Sequence, residues 1–454
     1  MSLLLWAKLK MKIQKSDVWR LFPDTFAQKV SSNRWKNFEF TKFLAENVTH
    51  QIINGGGRIC ISAPPRHGKS EFLSTWLPIW FLEMFPDKKI ILSSYSAELA
   101  STFGRKIRDE MATNPLITTR LSENSQASNR FDTESGGGMI TAGVNGPITG
   151  KGAHLFLIDD PYKNMQDALS ETYDRNLKSW YESVARTRLE PNGTMIIIMT
   201  RWKEDDLVGW LVKNHSFQEI NLPAIAEEND IMGRPHGQPL CSERYPLSEL
   251  QKIKADVGSY VWNALYQQNP IPIKGGLFKR VWWNRYRELP VCHRVVQFWD
   301  CAQKVGITND YSVCATWGEF TSGYYLIDLW REKVEAPQLE QAVKTLYTKH
   351  KPSAVVIEDK SSGSSIIQHL RQKTTIPVIA YDPKSRDKEV RASAATPTVE
   401  AGKCFLPENA PWVEDFIIEH ERFPNASHDD IVDTTSMAIE YFRVPRPMPR
   451  IREL

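Results

Sequence analysis

Ala63-Pro-Pro-Arg-His-Gly-Lys-Ser70 is the most informative stretch of this 454-residue sequence. From Gly68 onward it matches the phosphate-binding loop pattern, in which successive backbone N–H groups curl around phosphate oxygens. Ala63 stands where that pattern has its first glycine. A short β-branched run at 58–62 precedes the loop, and a helical run follows from Glu71. We therefore predict a strand–loop–helix unit whose helix N-terminus faces bound phosphates.

The polar side chains of this loop have separate predicted roles. Lys69 would reach the β and γ phosphates of a nucleotide, and Ser70 would hold Mg²⁺. Arg66 lies within the loop, so its guanidinium is a candidate for neutralising charge on the γ-phosphate. A solvated loop charge explains Arg66 equally well.

Two further strands supply the rest of this predicted site. Leu155-Phe-Leu-Ile-Asp-Asp160 is an apolar run that ends in two carboxylates. Asp159 would complete the Mg²⁺ shell, and Asp160 would orient or deprotonate the attacking water. Another strand ends at Met199-Thr-Arg-Trp202, where Thr200 is placed to sense hydrolysis. The predicted nucleotide-binding residues are Pro65, Arg66, His67, Gly68, Lys69, Ser70, Asp159 and Thr200.

The chain divides into two strand-rich α/β halves. Short buried runs in the first half predict a mainly parallel sheet. The segment at 269–277 contains two prolines and two glycines, which is typical of a linker. A second strand series begins with Arg294-Val-Val-Gln-Phe-Trp-Asp300. We place domains at 1–272 and 273–442, followed by an extended, basic, proline-rich tail at 443–454.

Acidic residues close two strands of the second half and open a helix. Asp300 ends one strand, Glu358 and Asp359 end another, and His428-Asp-Asp-Ile-Val-Asp433 begins the predicted helix. Carboxylates grouped in this way suit one or two Mg²⁺ or Mn²⁺ ions, and such ions activate water and stabilise the leaving oxygen of a phosphodiester. Because neighbouring strand residues alternate faces, we expect Glu358 rather than Asp359 to point inward.

The helix-start acids leave alternatives open. Asp429 and Asp433 are four residues apart and so share a helix face, with Asp430 about 100° away. Asp429 is also the strongest candidate for a helix cap, in which case Asp430 or Asp433 carries part of the ligation. The predicted metal ligands of this half are Asp300, Glu358, Asp429, Asp430 and Asp433. The predicted catalytic residues of the whole chain are Arg66, Asp160, Asp300, Glu358 and Asp429.

Composition narrows the class of protein. Hydrophobic residues make up 41% and charged residues 24% of the chain, the usual balance of a soluble globular protein. We find no apolar run of the ~20 residues that a membrane span needs, and expect neither a membrane partner nor a signal peptide. Six scattered cysteines predict neither a zinc site nor disulfides and fit a reducing cytosol. The net charge of +3 permits a nucleic-acid partner.

The order and combination of these motifs resemble bacteriophage terminase large subunits over about residues 35–442. The segments that carry the resemblance are Ala63–Ser70, Leu157–Asn164, Met199–Leu207, Phe298–Asp300, Ile357–Gly363 and His428–Asp433. The resemblance implies an ASCE-type P-loop ATPase with a small lid subdomain at about 220–270. A ribonuclease-H-like α/β nuclease domain would follow. Ala63 and Asp160 depart from the family pattern, since many relatives have glycine and glutamate there.

The resemblance also implies a function, cofactors and partners. The chain would be an ATP-driven motor that translocates viral double-stranded DNA into a procapsid, and an endonuclease that cuts concatemeric DNA. Its cofactors would be ATP with Mg²⁺, and one or two Mg²⁺ or Mn²⁺ in the nuclease. Its partners would be non-specifically bound DNA, the portal protein, the terminase small subunit and further copies in a ring of five. We expect it in the host cytoplasm, transiently attached to the procapsid, and not in the mature virion.

Three other functions account for part of this pattern. A stand-alone translocase or helicase-type ATPase with an inactive nuclease-like domain is the main alternative, which the retained acids oppose. An assembly protein that uses ATP as a structural ligand is opposed by Lys69, Asp159 and Asp160. A transposase explains the acids but not the phosphate loop. For DNA contacts, the basic stretches at 274–280 and 384–391 are candidates, although solvated loops explain them equally well.

Overall fold

The computed structural model describes residues 15–148, 150–270, 276–302, 311–360, 362–383, 386–426 and 428–444. The chain forms two compact units, the first containing 1–253 and 261–271, the second 254–260 and 272–454. Most of the predicted linker and the predicted tail from residue 445 lie outside the described residues. No helix in the described ranges is long and apolar enough to cross a membrane.

The first unit alternates strands and helices. Its strands are β1 (Arg58–Ser62), β2 (Lys89–Ser94), β3 (Leu121–Ala127), β4 (Arg130–Thr133), β5 (Gly138–Gly143), β6 (Ala153–Asp159), β7 (Leu189–Met199) and β8 (Gln218–Asn221). Its α-helices are α1 (Pro23–Val30), α2 (Glu39–Asn54), α3 (Lys69–Glu71), α4 (Leu77–Met84), α5 (Ala97–Thr113), α6 (Met165–Leu169), α7 (Glu171–Trp180), α8 (Leu207–Asn214) and α9 (Leu247–Val261). Turns of 3-10 or π-helix lie at Lys15–Arg20, Phe72–Trp76, Tyr181–Ala185, Arg186–Arg188 and Trp262–Tyr266.

The eight strands of the first unit form one sheet in the order β3-β4-β5-β2-β6-β7-β1-β8. The strands from β5 to β8 in that order are all parallel, whereas β4 pairs antiparallel with both of its neighbours, β3 and β5. Strand β7 lies between β1, which leads into the phosphate loop, and β6, which ends in Asp159. The predicted mainly parallel, ASCE-type sheet is thereby confirmed. Because these strands are parallel, their carboxyl ends meet at one edge of the sheet.

The region of the predicted lid subdomain contains little regular structure before α9. Strand β8 ends at Asn221, and the chain then runs without helix or strand to α9. Helix α9 is interrupted at Gly258, whose φ of 76° is left-handed. Residues 254–260 cluster with the second unit, and there Ser259 N donates to Glu400 Oε2 at 2.8 Å.

The second unit is a mixed α/β structure. Its strands are β9 (Asn284–Tyr286), β10 (Arg294–Asp300), β11 (Ser312–Phe320), β12 (Gly323–Glu332), β13 (Ala354–Glu358), β14 (Val378–Tyr381) and β15 (Cys404–Pro407). Its further helices are α10 (Ala336–His350), α11 (Ser362–Lys373), α12 (Lys388–Glu400), α13 (Val413–Arg422) and α14 (Asp430–Arg443), with a 3-10 turn at Arg280–Trp282.

The seven strands of the second unit form a sheet in the order β14-β13-β10-β11-β12-β15-β9. Strand β10 pairs antiparallel with β11 and parallel with β13, so Asp300 and Glu358 end neighbouring strands at the same edge. Helix α14 packs against β10 and β11 and against α12. It begins at Asp430, so the expectation that Asp429 lies inside the helix was wrong. Asp429 occupies the N-cap position, which was the alternative left open, although its side chain forms no cap hydrogen bond.

Candidate active sites

The phosphate loop of the first unit has a strained, glycine-dependent backbone. Gly68 has a φ of 96° and caps α3, and Arg66 also has a left-handed φ of 61°. A Cβ at Gly68 would approach Arg244 Nη1 at 3.2 Å and the Trp35 ring at 3.5 Å. Both the backbone angle and the lack of space therefore favour glycine at this position.

Five side chains, from the loop and from the ends of two strands, contact one another beside Gly68. The buried Lys69 Nζ donates to Thr200 Oγ1 at 2.8 Å and lies 3.8 Å from Asp160 Oδ2. Ser70 Oγ donates to Asp159 Oδ1 at 3.0 Å. The carboxyl ends of β6 and β7 thus bring Asp159, Asp160 and Thr200 to the loop that follows β1.

An open cleft of about 500 Å³ lies over these groups. That volume falls within the ~300–1,000 Å³ typical of small-molecule sites. Seven of the eight predicted nucleotide-binding residues line the cleft: Pro65, Arg66, Gly68, Lys69, Ser70, Asp159 and Thr200. Tyr95, Phe103 and Trp202 add aromatic walls.

The two carboxylates at the end of β6 differ in environment. Burial, together with the nearby charge of Asp160, raises the pKa of Asp159 to about 7 against the lowering effect of Lys69. Asp160 is one-third exposed, and its left-handed φ of 41° is tolerated by aspartate. Asp159 is thus a buried acid that a cation would stabilise in its charged form, whereas Asp160 faces the cleft.

His67 is the predicted nucleotide-binding residue that does not line the cleft. Its ring is fully buried and stacks on Tyr245 with ring centroids 4.6 Å apart. Its Nδ1 lies 2.9 Å from the Pro65 carbonyl oxygen, and burial lowers its pKa to about 4. The side chain supports the loop from behind, so only the His67 backbone is placed to face phosphates.

A buried ion pair that the sequence analysis did not identify supports the end of β7. Arg201 Nε donates to both carboxylate oxygens of Asp206 at 3.0 Å. Asp206 also caps α8 by accepting from Gly209 N at 3.1 Å. Arg201 N donates to Gln268 Oε1 at 3.0 Å. These contacts fix the backbone next to Thr200, and the acidic run 204–206 was the available signal for them.

The second unit gathers acidic side chains at the ends of β10 and β13 and the start of α14. Burial raises the pKa of Asp300 well above its ordinary value, and the charges of Asp433, Glu358 and Asp430 raise it further. Glu358 is buried and Asp359 is exposed, which is the orientation that strand alternation predicted. The predicted acids therefore lie close enough together to repel one another strongly.

Two cations of α12 enter this carboxylate cluster, which we define as Asp300, Glu358, Asp429, Asp430 and Asp433. Lys388 Nζ donates to Asp429 Oδ1 at 2.6 Å and lies 2.9 Å from Asp433 Oδ2. The Arg391 guanidinium lies 2.9 Å from Asp433 Oδ1 and 3.7 Å from Glu358 Oε1. In the sequence, both cations belong to a basic stretch that was a candidate only for DNA contact.

The chemistry of the cluster fits a hard divalent cation. Its candidate ligands are carboxylate oxygens, which Mg²⁺ and Mn²⁺ prefer. Glu358 Oε1 is buried and accepts no hydrogen bond from the residues that the structure describes. Within those same residues, no three His, Cys, Asp or Glu side chains converge on one metal position. Asp429 and Asp433 are instead engaged by the α12 cations.

Two family models match the chain in sequence order. The model "Terminase large subunit, T4likevirus-type, N-terminal" matches residues 60–285. The model "Terminase RNaseH-like domain" matches residues 297–442. The chain belongs to the terminase large subunit family. The family prediction is therefore confirmed, and the two units of this terminase are an ATPase-like and a ribonuclease-H-like α/β domain.

Solved structures of terminases are similar to this chain at low identity. The large terminase of a thermophilic bacteriophage in complex with ADP is 10% identical with a TM-score of 0.48, covering 86% of this chain and 94% of that chain. The large terminase of bacteriophage HK97 is 10% identical with a TM-score of 0.39, covering 89% and 95%. The human cytomegalovirus terminase nuclease domain, soaked with manganese and bound to an inhibitor, is 13% identical with a TM-score of 0.28, covering 37% and 94%. No curated protein sequence matches the chain significantly.

Most basic side chains once considered for DNA contact are paired within this terminase. Arg280 pairs with Glu414 and Glu421, and Arg386 pairs with Glu440. Lys274 and Lys384 lie outside the described residues. Lys279 lies over the Trp282 ring at 5.5 Å. The geometry therefore assigns internal partners to Arg280, Arg386, Lys388 and Arg391.

Proposed function

We propose that this chain is an ATP-hydrolysing motor that translocates viral double-stranded DNA into a procapsid. We also propose that its second unit is a metal-dependent endonuclease that cuts concatemeric DNA. The observation that carries the motor is the joint placement of Lys69, Ser70, Asp159 and Thr200 at one sheet edge. Membership of the terminase family supports joining this motor to a nuclease.

The first unit's side chains divide the work of ATP hydrolysis among themselves. Lys69 binds the β and γ phosphates, while Ser70 and Asp159 hold Mg²⁺. Bound Mg²⁺ supplies charge neutralisation at the phosphates. Asp160 faces the cleft and orients or deprotonates the attacking water. Arg66 is exposed at the cleft, where its guanidinium can approach the γ-phosphate.

Thr200 gives the site a means of sensing hydrolysis. Its hydroxyl accepts a hydrogen bond from Lys69 at 2.8 Å. A γ-phosphate that attracts Lys69 would weaken this contact, and loss of the phosphate would restore it. The buried pair of Arg201 and Asp206 then holds the neighbouring backbone, so a change at Thr200 is passed to α8.

The second unit's carboxylates perform the proposed DNA cleavage. Asp300 and Glu358, with Asp433 and either Asp429 or Asp430, hold one or two Mg²⁺ or Mn²⁺ ions. Bound ions supply an activated water and stabilise the leaving oxygen of the phosphodiester. Arg391 keeps Asp433 oriented from inside the protein.

The remaining parts of the proposal concern assembly. The chain would act on the portal protein as a ring of five, with a small subunit that selects viral DNA. It would grip DNA phosphates without sequence preference. Its place would be the host cytoplasm, transiently on the procapsid and not in the mature virion. These statements rest on family membership.

The experiment that tests both activities is plasmid cleavage with Mg²⁺ or Mn²⁺, followed in parallel with ATP hydrolysis. Lys69→Ala should lose ATP hydrolysis and retain cleavage, whereas Asp300→Ala should do the reverse. Glu358→Gln and Asp359→Asn form a matched pair, since the first removes a buried carboxylate and the second an exposed neighbour. Of these two variants, only Glu358→Gln should abolish cleavage.

The second candidate is a DNA translocase whose nuclease-like unit is inactive. The ion pairs of Lys388 and Arg391 favour it, because they neutralise carboxylates that a nuclease needs for metal. ATP hydrolysis stimulated by DNA, without cleavage under either metal, would establish this alternative.

A further inference from the structure

The two cations in the carboxylate cluster are anchored differently. The side chain of Arg391 is 1% exposed and lies between Asp433 and Glu358, whose side chains are 2% and 8% exposed. The side chain of Lys388 is 45% exposed and reaches the cluster from the first turn of α12. Arg391 cannot leave without abandoning two buried acids, whereas Lys388 can rotate into water.

Lys388 occupies a bridging position. Its Nζ contacts one oxygen of Asp429 at 2.6 Å and one oxygen of Asp433 at 2.9 Å. Lysine presents a compact point charge on a flexible stem, and in this it resembles a small cation between two carboxylates. A divalent ion has twice the charge and the same preference for carboxylate oxygens, so it competes for this position.

We propose that Lys388 is a displaceable counter-ion of the nuclease site, whose ammonium bridges Asp429 and Asp433 until a divalent cation takes its place. Arg391 stays with Asp433 in both states. This inference rests on the proposed nuclease function and assigns Lys388 a regulatory, positioning role within it. The carboxylates are thereby held together in the absence of metal, at the cost of weaker metal binding.

A supporting role for Lys388 makes the opposite prediction. If the ammonium only oriented Asp429 and Asp433 for the metal, its removal would loosen both carboxylates and weaken metal binding. If it competes, its removal strengthens metal binding. The sign of the change in affinity therefore separates the two roles.

The first test measures Mn²⁺ affinity of the full chain without DNA, by titration calorimetry or Mn²⁺ paramagnetic resonance. We expect Lys388→Met to bind Mn²⁺ roughly fivefold more tightly, the scale of a partly exposed ion pair. Lys388→Arg should restore binding close to wild type. Lys360→Met is the charge control, because its Nζ lies 3.3 Å from Glu358 but bridges no two acids among the described residues. Unchanged or weaker binding in Lys388→Met, or equal tightening in Lys360→Met, would overturn the proposal.

The second test follows the ammonium itself by acetylation and mass spectrometry. Mn²⁺ should raise the acetylation rate of Lys388 several-fold because it frees the side chain. Lys344 is the matched control, with an ion pair to Glu340 at 2.6 Å and 40% exposure. Unaltered labelling of Lys388 at saturating Mn²⁺ would contradict displacement.

Asp300→Asn distinguishes failure of this inference from failure of the proposed function. If wild type binds Mn²⁺, Asp300→Asn does not, and Lys388→Met is unchanged, only the counter-ion inference fails. If no variant, wild type included, binds Mn²⁺ saturably, the metal-dependent nuclease and the counter-ion inference fail together.

Discussion

The cleft over the phosphate loop in the first unit and the carboxylate cluster in the second are each associated with a buried arginine–aspartate ion pair. In the first unit Arg201 lies 3.0 Å from Asp206, and neither side chain lines the cleft. In the second unit Arg391 lies 2.9 Å from Asp433, which is itself a predicted metal ligand. The Arg201–Asp206 pair therefore lies outside the cleft lining, whereas the Arg391–Asp433 pair includes a member of the carboxylate cluster.

In the first unit, the residues of the ion pair stabilise the fold and do not line the candidate site. In the second unit, Asp433 belongs both to the ion pair and to the candidate site. Asp206 accepts hydrogen bonds from Arg201 and from the backbone N–H groups of Trp202 and Gly209. Its carboxylate therefore fixes the backbone at Trp202 and the start of α8. Asp433 is shared between Arg391 and Lys388. A metal at the cluster would have to be accommodated by the same carboxylate that stabilises the fold. The two pairs should therefore respond differently to mutation and to metal.

The largest expected effect is the loss of stability in Arg201→Met. Removal of the arginine leaves the fully buried Asp206 charge without its main partner, which typically costs about 3–5 kcal/mol. Denaturant unfolding, monitored through the loss of ATP binding, should show that the first unit of the variant unfolds at a lower denaturant concentration than that of wild type. Arg130→Met is the control, since Arg130 pairs with Asp132 at the surface at 3.4 Å. A loss below about 1 kcal/mol would show that water or a rearrangement satisfies Asp206.

Arg391→Met should destabilise the second unit by less, about 2 kcal/mol, because Lys388 still contacts Asp433. Mn²⁺ should recover more stability in Arg391→Met than in wild type, since a bound cation replaces the missing positive charge. Thermal unfolding with Mn²⁺ and with chelator measures both effects. Arg287→Met, which removes an exposed pair with Glu408, should show no metal-dependent recovery. If Mn²⁺ stabilised wild type and Arg391→Met equally, Asp433 would not be a metal ligand.

The cleft of the first unit was the more predictable of the two sites because much of its polar lining comes from one contiguous loop. One loop encodes Gly68, Lys69 and Ser70, and the loop pattern itself specifies the backbone conformation that they need. The five strands named from the sequence are all present, as β1, β6, β7, β10 and β13. Strands β3 and β4 were not predicted, since their sequences Leu-Ser-Glu-Asn-Ser-Gln-Ala and Arg-Phe-Asp-Thr contain few apolar residues. They are held by pairing, β3 with β4 and β4 with β5.

For the carboxylate cluster, the sequence predicted the acidic residues but not the two cations that contact them. Asp300 and Glu358 close buried strands, so their apolar neighbours marked them. Lys388 and Arg391 gave no such signal, because a basic run before a helix is usually solvated. Their role depends on α12 packing against α14, a tertiary contact that no local pattern encodes. Helix α14 likewise begins at Asp430, two residues after the predicted start at His428. Asp429 occupies the N-cap position, but its side chain contacts Lys388 and forms no cap hydrogen bond.

A smaller effect is expected at the phosphate loop. Gly68→Ala forces a side chain into a left-handed backbone and against Arg244, which we expect to cost about 1–2 kcal/mol. ATP affinity should fall by about tenfold, the equivalent of about 1.4 kcal/mol, because the loop shifts. Gly56→Ala is the matched control, with a left-handed φ of 73° but no atom within 4 Å of the new Cβ. If both variants lose affinity equally, backbone strain rather than crowding at the loop is responsible.

The smallest expected effect is the pH dependence of stability that arises from buried histidines, of which each unit has one with a lowered pKa. His67 in the first unit has its pKa lowered to about 4, and His420 in the second has its pKa lowered to about 3, in both cases chiefly by burial. His420 is fully buried, its Nδ1 lies 2.7 Å from the Phe416 carbonyl oxygen, and its ring packs edge-on against Trp283 and Phe278. Its neutral form is therefore favoured in the folded state.

The sign of the pH dependence follows from proton binding. Between pH 3 and 6.5 the unfolded chain protonates His420 and the folded unit does not, so stability is lost as pH falls through 6.5. Relative to His420→Phe, wild type should lose about 0.8 kcal/mol of unfolding free energy between about pH 7.5 and pH 6. Denaturant unfolding of the second unit at the two pH values measures this difference, and comparing the variant with wild type cancels other titrating groups. Parallel pH dependence in both proteins would mean that His420 becomes protonated within the folded unit, so that its aromatic surroundings admit water.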